Sequence, residues 1–185
     1  MRTSACEDLI KKLIKDVSDM SSITQAESAY KDFCQTRIAL DEQKMNSFEA
    51  RKKALSCWRE LTNLIRTDFM PKPQVVDLFS LIMFLELADC LRRLYTSDHK
   101  HSTAGWFCSF LLSLARRLKC SFLVAKYQAH YVENLQCTYQ ISEALVQAHL
   151  LQSFLIDEFG EDYLDWLADA PHASRLCEEL ESTIG

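Results

Sequence analysis

The chain has 185 residues, of which 48% are apolar and 25% charged, with a formal net charge of −5. That balance excludes a disordered or collagen-like chain and suits a single folded domain over residues 1–185 with one sizeable core. The acidic net charge also makes nucleic acid an unlikely partner by chemistry, because such binders are usually strongly basic.

Only three glycines and three prolines interrupt the chain, against roughly 7% and 5% in average proteins. Sheets and long loops need more turn chemistry than this. The expectation is an all-α fold, a compact multi-helix bundle of seven to nine helices. The alternative is a short irregular α-solenoid of helical hairpins, although no residue-level repeat period is visible.

In chain order, Ser4-Ala5-Cys6-Glu7 reads as a capping box opening a helix with Leu9, Ile10, Leu13, Ile14 and Val17 on one stripe. Thr24-Gln25-Ala26-Glu27 opens a second helix to about Lys44, with Ala29, Tyr30 and Phe33 inward. Asn46-Ser47-Phe48-Glu49 opens a third to about Asp68, with Phe48, Ala54, Leu55, Trp58 and Leu61 on its core face. With no Gly or Pro between them, fusion of the second and third into one bent helix is a further option.

Met70-Pro71-Lys72-Pro73 marks a break, and Pro73 suits the first turn of a central helix running to about Tyr95. The apolar run Val75–Leu94 raises the question of a membrane span, but Asp77, Glu86 and Asp89 interrupt it. A helix apolar nearly all round belongs in the middle of a bundle. After the polar stretch 97–103, Thr103 is placed to cap a helix through Trp106, Phe107, Phe110, Leu111 and Leu114. A break near 119–121 precedes Phe122–Leu135, another helix covers about Tyr139–Phe159, and Gly160 stands where a helix C-cap favours glycine. Tyr163–Ala168 reads as a short turn, and Pro171 opens a last amphipathic helix.

The eight cysteines are scattered, without C-x-x-C or a Cys/His cluster, and no signal peptide is visible. Reduced thiols in a cytoplasmic or nuclear protein are expected, with no structural zinc. No Glu-x-x-His occurs, and His130-x-x-Glu133 is a single unmatched pair, so neither a metal nor another cofactor is expected. Nucleophile elbows, P-loops and dinucleotide fingerprints are absent. A Cys–His pair assembled by the fold stays open, because such partners need not be close in sequence.

Charge is unevenly placed. From Asp157 onward nine acids face only Arg175, while the first 156 residues carry 20 bases against 17 acids. The acidic end either is a solvated face or competes for a basic surface elsewhere. Basic clusters stand at Arg51-Lys52-Lys53 with Arg59, at Arg92-Arg93, and at Arg116-Arg117-Lys119 with Lys126. They either face solvent with nearby acids or meet an acidic partner segment. Trp106, Phe107, Phe110, Phe122, Tyr127 and Tyr131 crowd into 26 residues. Trp106 and Phe110 share a helix face while Phe107 and Leu112 point elsewhere, so the helix is either central or covered by a partner.

Phe154–Trp166, with Gly160 between aromatic residues, resembles the helix junction of Bcl-2-type bundles, which bind partner helices in a groove. The likeness covers about a dozen residues. Ala104-Gly105-Trp106-Phe107 departs from the Asn-Trp-Gly-Arg signature of that family, and membership is not inferred.

The functional expectation is a non-enzymatic protein–protein interaction module, adaptor or complex subunit. It would bind a partner helix or peptide through an apolar groove with charged rims, using Trp106, Phe110, Arg116 and Arg117. Homo- or hetero-oligomers are compatible with it. The alternative is a helical enzyme or small-ligand-binding protein with its site inside the bundle.

Overall fold

A computed structural model describes residues 11–12, 14–16, 18–19, 25–68, 78–160 and 178–183. Apolar residues at helical spacing and few breakers give helices and, among the described residues, no strand. The protein is an all-α multi-helix bundle. Six helices are delimited: α1 Gln25–Asp41, α2 Ser47–Asp68, α3 Leu78–Ser97, α4 His101–Arg117, α5 Ser121–Cys137 and α6 Ile141–Phe159. Helical residues also occur within 11–19 and at 178–183. The expected boxes at Ser4 and Thr24, the break at 70–73, the turn at 163–168 and the Pro171 start lie outside the described residues. No described helix is long and apolar enough to cross a membrane.

The chain divides into two compact units, one reaching to Asp98 and one beginning at His99. In the first, α2 packs against both α1 and α3. Its core joins Phe33 and Cys34 of α1, Ala54 and Leu61 of α2, and Met83, Leu87 and Leu91 of α3. Cys34 Sγ lies 3.8 Å from Met83 Sδ, and Trp58 stacks on Phe84 at 4.6 Å. α3, the run that raised the membrane question, buries Asp89 and Arg92 along with its apolar residues. Asp89 Oδ1 accepts from Arg92 Nε at 2.8 Å, and Arg37 of α1 reaches Glu86 of α3 at 3.3 Å. Charges inside an apolar run are thus matched within the fold.

In the second unit α5 is the middle helix, packed on α4 and α6. Ala125 and Ala129 of α5 meet Leu151 and Leu155 of α6. Val132 and Leu135 meet Ala144, Ala148 and Leu180. Small residues let α5 and α6 approach closely. α4 and α5 also meet closely at a small residue, Gly105. A Cβ on Gly105 would stand 2.4 Å from Asn134 Oδ1, and Asn134 Nδ2 donates to the His101 carbonyl at 2.8 Å. Asn134 is buried, so moving aside would strand a polar group, at about 1–3 kcal/mol. Gly105→Ala is therefore expected to destabilise by about 1–3 kcal/mol despite the better helix propensity of alanine. In an Asn134→Ala background the same change should become neutral or stabilising, as thermal unfolding would record.

Most helix ends lie within a few residues of expectation, but what closes them differs. α1 and α2 do not fuse: Gln43 takes a left-handed conformation at φ 58, and Lys44 N bonds Ala39 O while Gln43 N bonds Leu40 O. The same Schellman pattern closes α4 at Lys119 (φ 52), with Cys120 N on Ala115 O, and α5 at Tyr139 (φ 61), with Gln140 N on Leu135 O. His99 is also left-handed at φ 56, so left-handed residues recur at 99, 119 and 139, 20 residues apart. A period invisible in residue identity exists in the backbone, because the stop is made by hydrogen bonds rather than by glycine. Asn46 caps α2 as expected, its Oδ1 accepting from Glu49 N at 2.9 Å. Thr103 does not cap α4, which starts two residues earlier with Lys100 at the N-cap position. Phe48 is not in the core but 64% exposed.

A non-glycine residue in the left-handed region costs about 1–2 kcal/mol. Tyr139 is 90% exposed and so contributes little packing. Tyr139→Gly is expected to raise stability by about 0.5–1 kcal/mol after the extra chain entropy of glycine is deducted. A fall in the urea midpoint would contradict this account of the helix end.

Candidate functional site

The short, tightly closed connections at 118–120 and 138–140 reverse the chain, so α4, α5 and α6 run alternately up and down. The outer face of α5 then forms a floor between two helical walls. Val124, Gln128 and Tyr131 repeat at helical spacing along that floor. On one side stand Ser109, Leu112, Ser113 and Arg116 of α4, and on the other Gln147, Leu150, Phe154 and Glu158 of α6. The result is two adjoining pockets of about 510 Å³ each, which share Arg116. Arg117 lines the first and Lys119 the second.

The floor is held by polar contacts as well as packing. Gln128 is buried and its Nε2 donates to the Gln147 carbonyl at 3.3 Å. Ser121 Oγ donates to Glu158 Oε1 at 2.7 Å, which ties the start of α5 to the end of α6. The α6 wall is apolar and open: Leu150 is 52% exposed, and Phe154 is half-buried.

Arg116, Arg117 and Lys119 are exposed. Among the described residues none of them forms an ion pair. In the other two clusters Arg51, Arg92 and Arg93 are paired, while Lys52, Lys53 and Arg59 are exposed and form no ion pair among the described residues. Arg51 pairs with Asp98 and sits 5.5 Å from both the Phe48 and Tyr95 rings. Arg92 and Arg93 both reach Asp89. Lys126 lies about two helical steps round from the floor, with its Nζ 5.4 Å from the Tyr127 ring, so it does not extend the Arg116–Lys119 stripe.

Trp106 and Phe110 stand on the outer flank of α4 and line neither pocket. They stack at 5.7 Å with planes 11° apart. Trp106 is 55% exposed, while Phe107, Cys108 and Leu112 turn into the core. Arg117 falls on the same flank at helical spacing from Phe110. The fold therefore brings the four sequence-derived residues to one helix in two groups: Arg116 and Arg117 in the groove, Trp106 and Phe110 beside it. Sequence reasoning missed the α6 wall. The signal for it was present, because Val146, Leu150 and Phe154 recur at helical spacing on a helix whose opposite face, Ala144, Ala148, Leu151 and Leu155, already supplies the core.

The remaining reactive groups are placed otherwise. Burial pushes the Cys34 thiol up to about 12, and also raises Cys57 and Cys90 to about 11. These thiols stay protonated at neutral pH, the opposite of what a nucleophile needs. Cys108 Sγ meets the His130 carbonyl at 3.7 Å. His130 Nδ1 lies 3.0 Å from Glu133, and His149 Nε2 lies 3.4 Å from Glu181. Among the described residues, no three His, Cys, Asp or Glu side chains gather as a metal site.

No family model, curated protein or solved structure matches the chain.

Proposed function

We propose that this chain is a non-enzymatic protein–protein interaction module, an adaptor or complex subunit, that binds a segment of another protein along the α4–α5–α6 groove. The observation that carries this reading is the set of three exposed cations, Arg116, Arg117 and Lys119, without an ion pair among the described residues, beside an open apolar wall and the stacked Trp106 and Phe110. Exposed Trp and Arg side chains are the residues most often found to dominate protein interfaces. Cytoplasm or nucleus is the proposed compartment, in keeping with the six cysteines among the described residues being free thiols.

Trp106→Ala combined with Arg117→Glu is expected to abolish capture of the native partner, measured by affinity purification from the native cell, with helical circular dichroism unchanged. Capture that survives both changes would refute this surface. The pocket volumes also suit a small molecule. Native mass spectrometry that found a stoichiometric small ligand would favour that second reading.

A further inference from the structure

We infer that the groove's occupant is an acidic, amphipathic segment of a partner protein, its carboxylates paired with Arg116 and Lys119 and its apolar side chains seated against Leu150 and Phe154. This rests on the interaction reading above and adds the chemistry of the partner. Charge complementarity carries it: Arg116 and Lys119 line one pocket, are exposed, and have no carboxylate partner among the described residues. They stand on either side of the left-handed end of α4 and face one pocket. The opposite wall is different in kind. Leu150 and Phe154 offer apolar surface to a segment that a purely ionic ligand would leave exposed to water.

A nucleic acid fits this groove less well. Glu158 stands in the same pocket, held by Ser121: a peptide can place its acids clear of that carboxylate, whereas a phosphate backbone carries a charge at every nucleotide. The α6 wall from Gln147 to Glu158 is about 16 Å long at 1.5 Å per residue, room for roughly ten residues of helix or half that number extended.

The test is to pan a random peptide library displayed on phage against the full chain and to measure the recovered peptides by fluorescence anisotropy. Recovered peptides should be enriched in Asp and Glu spaced with Leu, Ile or Phe. Their affinity should fall about tenfold or more in Arg116→Glu with Lys119→Glu, equivalent to the loss of one strong charge-assisted contact. It should fall several-fold in Leu150→Ser, and weaken as salt is raised. Arg116→Gln with Lys119→Gln serves if charge reversal disturbs folding, with circular dichroism as the check. The inference is overturned if no acidic class is recovered, or if affinity is unchanged in both charge variants. Tighter binding of a single-stranded oligonucleotide to the same cations would replace it with nucleic acid, and self-association lost in the same variants would replace it with a second copy of the chain. If these peptides fail while Trp106→Ala with Arg117→Glu still abolishes native capture, the interaction reading stands and only the partner chemistry falls.

Discussion

Asp89→Ala is expected to destabilise the unit ending at Asp98 by about 3–5 kcal/mol, the usual cost of stranding a buried charge. Asp89 sits in α3 with its side chain 6% exposed, and Arg92, 8% exposed, donates to it at 2.8 Å. Arg93 reaches the other carboxylate oxygen at 3.6 Å. Removing the acid leaves the Arg92 guanidinium buried without its anion, and a guanidinium does not lose its proton to escape that cost. Replacing both members by apolar residues, Asp89→Leu with Arg92→Met, should recover most of the loss, because the pair's attraction is largely offset by its own desolvation. Urea unfolding followed by circular dichroism would measure the cycle. A single-variant loss below about 1 kcal/mol would mean that water reaches Arg92 and that the pair is not a buried one.

Leu151→Ala is expected to cost about 2–5 kcal/mol, whereas Leu150→Ala should stay within about 0.5 kcal/mol of the parent. The two leucines are adjacent on α6, yet Leu151 is 1% exposed and Leu150 is 52% exposed. Leu151 packs with Ala125, Ala129 and Leu155, where truncation leaves a cavity that the short alanines cannot close. Leu150 borders the groove, so its truncation removes contact only with an occupant. Equal losses at both positions would show α6 rotated about its axis from the register described, and the α6 wall of the groove would vanish with it.

That contrast shows where sequence reading stops. The apolar spacing on α6 marks it as a helix, but both Leu150 and Leu151 fit an apolar pattern. Only the position of α5 decides which one is covered. The three basic clusters make the same point. Arg51, Arg92 and Arg116 look alike along the chain, and the fold gives the first two internal partners while leaving Arg116 without an ion pair among the described residues. Trp106 was legible as an outlier, because one helix carried aromatic residues on too many sides for all of them to be covered. Phe48 was not, since its place at helical spacing says nothing about whether a neighbour reaches the first turn of α2.

The ends of helices divide along the same line. Asn46 was recognisable as a cap because its oxygen needs only the Glu49 amide three residues on. Boundaries near Lys44, at 119–121 and about Tyr139 were legible, but not that Gln43, Lys119 and Tyr139 make them by turning left-handed, since none is a residue that favours positive φ. Their left-handed turns persist because packing of the flanking helices outweighs a local cost of about 1–2 kcal/mol each.

By itself, then, the sequence determined that this protein is helical, roughly where most helices lie, and that no familiar catalytic pattern is written in it. Those properties follow from spacing and from hydrogen bonds between residues a few positions apart. The tertiary structure alone decided that Arg37 meets Glu86, that Asp89 neutralises a buried arginine, and that Arg116 and Lys119 share a groove with Leu150 and Phe154. The reason is physical: burial and pairing depend on which surfaces touch after the chain has reversed on itself, and residues far apart in the chain hold no local record of that meeting.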